Sequence, residues 1–460
     1  MITTQTYLNE NLPSILDELF TLIRIPSVSA HQHAKDALYQ CADKWVDVLL
    51  KSGVDKALVM ATDGNPVVYA EKLVDESLPT VLVYGHYDVM PAEPLELWKS
   101  LPFEPEVRDG KIFARGADDD KGQSFMHAKA FEYLVQTGQL NCNVKFLLEG
   151  EEEIGSPNLE AFCEANKSLL TCDTILVSDT SMLAADTPSI TTGLRGLAYW
   201  QIEVTGANRD LHSGIFGGAV ANPINELSKI LAQLADEQGR ITIPGFYDRV
   251  QELSPEEKKL IDQVPFNEEM YKQNLGISQL YGEKGYSTIE RTGVRPTLDI
   301  CGIWGGYTGE GSKTVLPSKA YAKLSARLVP DQDHHEIMQL VADHLRAIAP
   351  GHVKIDVIPL HGAASYVCPI DSPAYKAAEQ AYEKVFGVRP LPVRRGGSIG
   401  VVPVFEKVLG VKPILMGFGL ESDAIHSPNE NFPLDMFKKG IETIVAFYLG
   451  YSRQTVDRRL

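Results

Sequence analysis

The chain has 460 residues, 44% hydrophobic and 23% charged, which is room for two or three domains with real cores at roughly 150 residues each. Its 43 basic and 61 acidic residues leave a net charge of −18, which excludes a nucleic-acid binder that needs clustered cations against phosphate. Apolar runs are strand-sized, as in Thr80-Val81-Leu82-Val83-Tyr84, so no membrane span is expected.

The N-terminal stretch reads as an amphipathic helix, with Leu8, Leu12, Ile15, Leu16, Leu19 and Ile23 on one face and Pro26 ending it. It lacks the basic start, apolar middle and small-residue cleavage site of a signal peptide. Six scattered cysteines (Cys41, Cys142, Cys163, Cys172, Cys301, Cys368) show no Cys-x-x-Cys spacing and read as reduced core thiols, which points to the cytoplasm. Helical patterns at 34–52, 122–137 and 157–169 alternate with strands Thr80–Tyr84, Val144–Glu149 and Thr174–Ser178. Apolar strands separated by helices predict an α/β domain with a mostly parallel sheet.

From Leu194 the texture changes. Leu197–Thr205 and Tyr321–Leu328 alternate apolar and polar residues, helical patterns lie at 223–236 and 333–348, and 264–313 is polar and rich in Pro, Gly and Tyr. That pattern predicts an α+β domain. After Pro369 the α/β texture returns, with a helix at 372–386, a strand at Pro413–Met416 and a closing helix near 431–450. The expected organisation is a discontinuous α/β domain, 1–193 with 369–460, interrupted by an inserted α+β domain at 194–368.

In open α/β sheets, ligands bind beyond the carboxyl ends of the strands. Polar residues gather there: Gly85-His86-Tyr87-Asp88, Glu149-Gly150-Glu151-Glu152-Glu153, Ser178-Asp179, and Ala424-Ile425-His426-Ser427 after Gly417-Phe418-Gly419. Between the first two lies Arg115-Gly116-Ala117-Asp118-Asp119-Asp120-Lys121-Gly122, a loop opening a helix. Each has a plain explanation alone. His-x-Asp is often a surface pair, acids at 118–120 suit a helix start, 151–153 could be a solvated face, and Asp179 a turn residue. Together they would concentrate negative charge at a cost that only cations relieve. Mixed imidazole and carboxylate donors suit zinc, manganese or cobalt better than magnesium or calcium. Two histidines and three acids exceed the needs of one tetrahedral ion. They fit two ions about 3.5–4 Å apart that share a carboxylate and activate a bridging water. Asp88 suits the acid that fixes the His86 tautomer, and a non-ligand Glu beside a ligand Glu suits a general base.

The strings YGHYDV, RGADDDKG, EGEEEIGS, VSDT, DLHSG, KTVLPSKAYAKLSARLVP, RRGGSIG and AIHSPNE occur in a familiar order. It resembles that of the dinuclear metallopeptidase family of carnosine dipeptidase, aminoacylase-1, carboxypeptidase G and succinyl-diaminopimelate desuccinylase. Over essentially the whole chain the sequence is most similar to the cytosolic non-specific dipeptidase branch. The resemblance implies a di-metal peptidase domain interrupted by a lid and dimerisation domain. It implies two divalent ions per subunit, zinc first, with manganese or cobalt as alternatives. His86 and Asp179 would complete one ion position, Glu153 and His426 the other, and Asp119 would bridge. Glu152 would be the general base, Asp88 would orient His86, and the Asp119–Asp120 peptide would be cis.

In the inserted domain, His212 resembles the histidine that crosses a homodimer interface to hold the oxyanion, although DLHSG alone would read as a turn. Arg327 resembles the residue that binds a substrate's C-terminal carboxylate. Thr314, His361, Ser398, Gly417 and Gly419 resemble substrate contacts. The implied activity is hydrolysis of the amide bond of dipeptides or other short peptides. Two departures stand out. Arg395 occupies the place of a Glu that would bind a free amino group, and Gly400 the place of a usual proline. Arg395 keeps an N-acyl-amino-acid amidohydrolase open as the alternative, and an inactive binding protein on the same fold is a third reading. An insertion of ~175 residues favours the dipeptidase branch.

Overall fold

The computed structural model describes residues 3–397 and 399–456. The chain divides into two compact units: one runs to Thr192 and takes in Cys368–Val393 and the chain from Gly400, and the other comprises Gly193–Val367 with Arg394–Ile399. The sequence division at 194–368 has no counterpart for the short return at 394–399.

The first unit is built on a large mixed sheet. Thr80–His86 lies at its centre, parallel to Asn143–Glu149 on one side and to Thr174–Val177 on the other, and Pro413–Leu415 extends the parallel set. Val67–Lys72 and Lys56–Met60 flank it antiparallel on one side, and Ser189–Leu194 on the other. The central strands are apolar and buried along nearly their whole length, as strands covered on both faces must be. Their register fixes the chemistry. His86 pairs with Glu149, Tyr84 with Val177, and Val177 with Leu415. All four strands therefore end at one edge, and the residues that follow them emerge together.

The N-terminal helix Thr4–Ile23 buries Leu8, Ile15, Leu19, Leu22 and Ile23, while Leu12 and Leu16 lie half-buried beside that face. Helix Lys121–Gln136 has no solvent face through Leu134. Its buried cations are paired instead: Lys129 meets Glu18 at 2.6 Å and also Glu132, and Lys121 Nζ donates to the carbonyls of Leu22 (3.0 Å) and Ile25 (2.7 Å). Lys121 thus neutralises the carboxyl end of the N-terminal helix and ties it to the loop bearing Asp118, Asp119 and Asp120.

In the second unit, strands run antiparallel in the order Thr297–Gly305, Lys319–Leu328, Gly196–Thr205, Lys354–Ala363. Alternation puts Ala198, Trp200, Ile202 and Val204, with Ala320, Ala322, Leu324, Ala326 and Leu328, on one buried face. Helices Pro223–Leu231 and His334–Ile348 cover it through Leu227, Ile230, Ile337, Val341 and Leu345. The polar stretch 264–313 holds two short helices, Glu268–Leu275 and Thr288–Gly293, and the strand Thr297–Gly305. That strand is at the sheet edge and exposes Ile300, Ile303 and Trp304, with a bulge between Ile300 and Gly302, so no inward alternation announces it. Among the described residues, no helix is long and apolar enough to cross a membrane.

Trp200 is fully buried at the centre of this second core, and its ring N–H donates to the Met338 carbonyl at 3.2 Å. Trp200→Ala should cost about 3–5 kcal/mol and lower the urea midpoint followed by far-UV circular dichroism. Tyr281→Ala, at a ring 87% exposed, should leave the midpoint in place.

Candidate metal centre

His86, the last residue of its strand, is fully buried. Its Nε2 lies 3.0 Å from Asp119 Oδ1 and 3.9 Å from Asp179 Oδ1. Its Nδ1 lies 3.1 Å from the Asp88 carbonyl oxygen and 3.4 Å from Asp88 Oδ1. His426 Nε2 lies 2.9 Å from Asp119 Oδ2 and 3.2 Å from Glu153 Oε2. Two triads result, His86–Asp119–Asp179 and Asp119–Glu153–His426, each with its ligand atoms within 4.8 Å of one another. Asp119 turns one oxygen to each histidine. The five residues nominated as metal ligands are thus brought together, and the peptide Asp119–Asp120 is cis.

The electrostatics ask for cations. Burial, together with neighbouring acids, pushes the carboxyls of Glu152, Glu153 and Asp179 above their ordinary values. Hydrogen bonds to Asp119 and Glu153 raise His426 to about 10. His86 is raised as well: burial opposes its charge, but Asp119, Asp179 and Asp88 outweigh it. Two nitrogen and three carboxylate ligands around a shared acid fit a pair of divalent ions.

Backbone contacts hold this arrangement. Asp88 does more than face His86: its two oxygens accept the N–H groups of Glu152 (3.2 Å) and Glu153 (3.1 Å), pinning the turn that bears both glutamates. Met90 N–H donates to Glu153 Oε1 at 3.1 Å. Asp120 Oδ2 accepts from His86 N–H (3.1 Å) and Ser124 Oγ (2.5 Å). Ser178 Oγ donates to the Met416 carbonyl (2.6 Å) and so accepts from His127 Nε2 (2.7 Å), joining the ends of two neighbouring strands. Burial lowers His127 to about 3, which keeps it a neutral donor. Sequence reasoning passed over Asp120, His127 and Glu430. The first was hidden in an acidic run, the second in a helix, and the third in the last position of AIHSPNE.

The remaining nominated residues divide between the units. Gly417 and Gly419 are in the first unit and are buried, where a Cβ would lie 2.0 Å from the Thr180 carbonyl oxygen and 2.5 Å from Asp118 Oδ2, respectively. Their small size therefore has a packing reason. His212, Thr314, Arg327 and His361 are in the second unit. Strand Leu211–His212 pairs with Val315–Leu316, and Ser213 N–H donates to the Thr314 carbonyl at 3.0 Å, so His212 and Thr314 are neighbours. Exposed His212 accepts the Gly214 N–H at Nδ1 (3.0 Å), which leaves the neutral ring's proton on Nε2. Arg327 is half-buried, opposite Leu197 and Thr297 in its sheet. His361 stacks on Tyr199 at 5.1 Å between centroids and 8° between planes. Arg395 ends the strand Leu391–Arg395, and Ser398 lies outside the described residues.

The family model of peptidase family M20/M25/M40 matches residues 82–449. The chain is 34% identical to the Cys-Gly metallodipeptidase dug1 of Schizosaccharomyces pombe, over 92% of this chain and 93% of that protein. Its structure is similar to that of the metallo-carboxypeptidase Sso-CP2 from Sulfolobus solfataricus (TM-score 0.83, 36% identity, covering 95% and 99% of the two chains). Human carnosine dipeptidase 1 is similar too, with TM-score 0.83 and 30% identity over 98% of each chain.

Glu149, at the end of its strand, is buried and accepts from Tyr84 Oη (2.6 Å) and Ser156 Oγ (2.9 Å); burial raises its pKa from 4.5 to about 8. Between those values the native carboxyl keeps a proton that the unfolded chain releases. Its contribution to stability is therefore full at low pH and lost as pH rises towards 8. Glu149→Gln mimics the protonated form and should flatten the fall in thermal midpoint of chelator-treated protein between about pH 5 and pH 8. An unchanged slope would show that Glu149 is ionised in the native state.

Proposed function

Because the chain belongs to peptidase family M20/M25/M40 and is a metal-dependent peptide hydrolase, we propose that it cleaves dipeptides and other short peptides, using two divalent ions, in the cytoplasm. The observation that carries this reading is the pair of triads sharing Asp119. His86, Asp179 and Asp119 would hold one ion, and Glu153, His426 and Asp119 the other, with zinc the first choice and manganese or cobalt alternatives. Bound there, the ions supply Lewis acidity that polarises the scissile carbonyl and eases deprotonation of the attacking water.

The chain's own groups do the rest. Glu152, on the turn pinned by Asp88, takes the water's proton and returns it to the leaving amine. His212 presents Nε2–H to the developing oxyanion, and the planar fork of Arg327 binds the substrate's terminal carboxylate. Dipeptide substrates are supported by relatives named for Cys-Gly and carnosine. A cytoplasmic site is supported by six free cysteines. A homodimer is supported by the edge strand Thr297–Gly305, whose exposed Ile300, Ile303 and Trp304 offer a surface for two-fold pairing. A panel of free dipeptides, tripeptides and N-acylated amino acids, run with each metal, tests the substrate class. Free dipeptides should be turned over best, and a preference for acylated amino acids would instead assign the deacylase role that Arg395 keeps open.

Glu152→Gln should retain both ions while turnover collapses, because Glu152 is not a ligand in either triad. Glu153→Gln should lose metal and activity together. Metal analysis showing ion loss in Glu152→Gln would make Glu152 a ligand and reverse the pair.

Mixing Glu152→Ala and His212→Ala subunits tests whether sites are shared. Each homodimer should be nearly inactive. If random exchange makes half the dimers mixed, one intact site in each returns roughly a quarter of wild-type activity under two-fold symmetry. Proven exchange with no recovery would contradict a shared site.

A further inference from the structure

Glu430 is fully buried, four residues beyond His426, and its carboxylate is crowded with donors. Oε1 accepts the N–H groups of Gly116 (3.1 Å), Asp118 (3.1 Å) and Asp119 (3.2 Å). Oε2 accepts Arg115 Nη1 at 2.6 Å and shares the Gly116 N–H at 3.1 Å. Amides of one turn that converge on an anion form a nest, and charge-assisted bonds of this kind are the strong ones. The turn so held is the one that bears Asp119.

The same residue also anchors the other ligand loop. The Glu430 carbonyl accepts Ala114 N–H at 3.1 Å, and Asn431–Pro433 pairs antiparallel with Lys111–Phe113. Asn431 Nδ2 then donates to the carbonyls of Asp423 (3.2 Å) and Asn429 (3.1 Å), closing the loop that carries His426. Glu430 thus fixes, through its carboxylate, the turn that bears the acid common to both triads and, through its backbone carbonyl, the base of the loop that supplies one histidine.

We propose that Glu430 is a positioning residue that sets the affinity of both ion positions without touching either ion, a role that rests on the two-ion reading above. Both its charge and its length matter. Glutamine would turn an NH2 group towards amide or guanidinium donors, and aspartate would be one methylene too short for the nest. Arg115 neutralises the acid while donating Nη2 to the Pro91 carbonyl at 3.1 Å, so the pair is part of the same clamp.

The test is zinc titration of full-length, chelator-stripped protein for wild type, Glu430→Gln and the double variant Arg115→Met/Glu430→Gln. The double variant removes the buried, unpaired guanidinium and guards against failure to fold. Both variants should bind both ions about 10–100-fold more weakly. The cobalt-substituted protein should show an altered visible absorption spectrum, and at saturating metal kcat should fall while KM stays within about threefold. Trp200→Ala, destabilised in the other unit, should bind both ions with wild-type affinity, which separates positioning from lost stability. Folded variants that bind two ions with wild-type affinity and an unchanged cobalt spectrum would overturn the proposal. Wild-type protein binding fewer than two ions would overturn the two-ion reading, and this role with it.

Discussion

Buried negative charge is the constraint on which the rest of the structure depends. Asp88, Asp119, Asp120, Glu152, Glu153 and Asp179 gather where four strands end, and isolated carboxylates there would be too costly to remain ionised. Three of them are met by particular devices. Backbone amides serve Asp88, an amide and a hydroxyl serve Asp120, and imidazoles serve Asp119. What these devices leave uncompensated is the negative charge shared by the two triads. A pair of cations held by the triads would relieve it, and the same pair would supply the chemistry of a metallopeptidase.

Strand register is what makes that concentration possible. Because His86 pairs with Glu149 and Val177 with Leu415, the residues that follow need only short turns to converge. The polar helix Lys121–Gln136 behind them is buried through Leu134 and paired at each cation, so the loop at its start is backed by a firm support. The second unit is an ordinary half-covered antiparallel sheet, and it holds His212, Thr314, Arg327 and His361.

Much of this was legible in the sequence because it is written in side-chain type and period. Apolar strands running into His86, Glu152-Glu153 and Asp179 announce a ligand site at strand ends, and the alternation in Leu197–Thr205 announces the second sheet. Three kinds of feature were not legible. The strand Thr297–Gly305 lies at an edge and is bulged, so its apolar residues face outward and mimic a loop. The pattern at 157–169 forms a helix only over Leu159–Ala165, and that at 223–236 ends at Leu231, where turns replace the final residues. The supporting roles of Asp88, Asp120 and Glu430 are contacts to distant backbone amides, which no spacing of side chains records.

The most direct test of the account is the dependence of turnover on bound metal. Chelator-stripped protein should be inactive on a free dipeptide. Added zinc, manganese or cobalt should restore activity, with the plateau reached at two equivalents per chain by metal analysis of the same samples. Full turnover in the stripped protein, or a plateau at one equivalent, would contradict a centre built from two triads around Asp119.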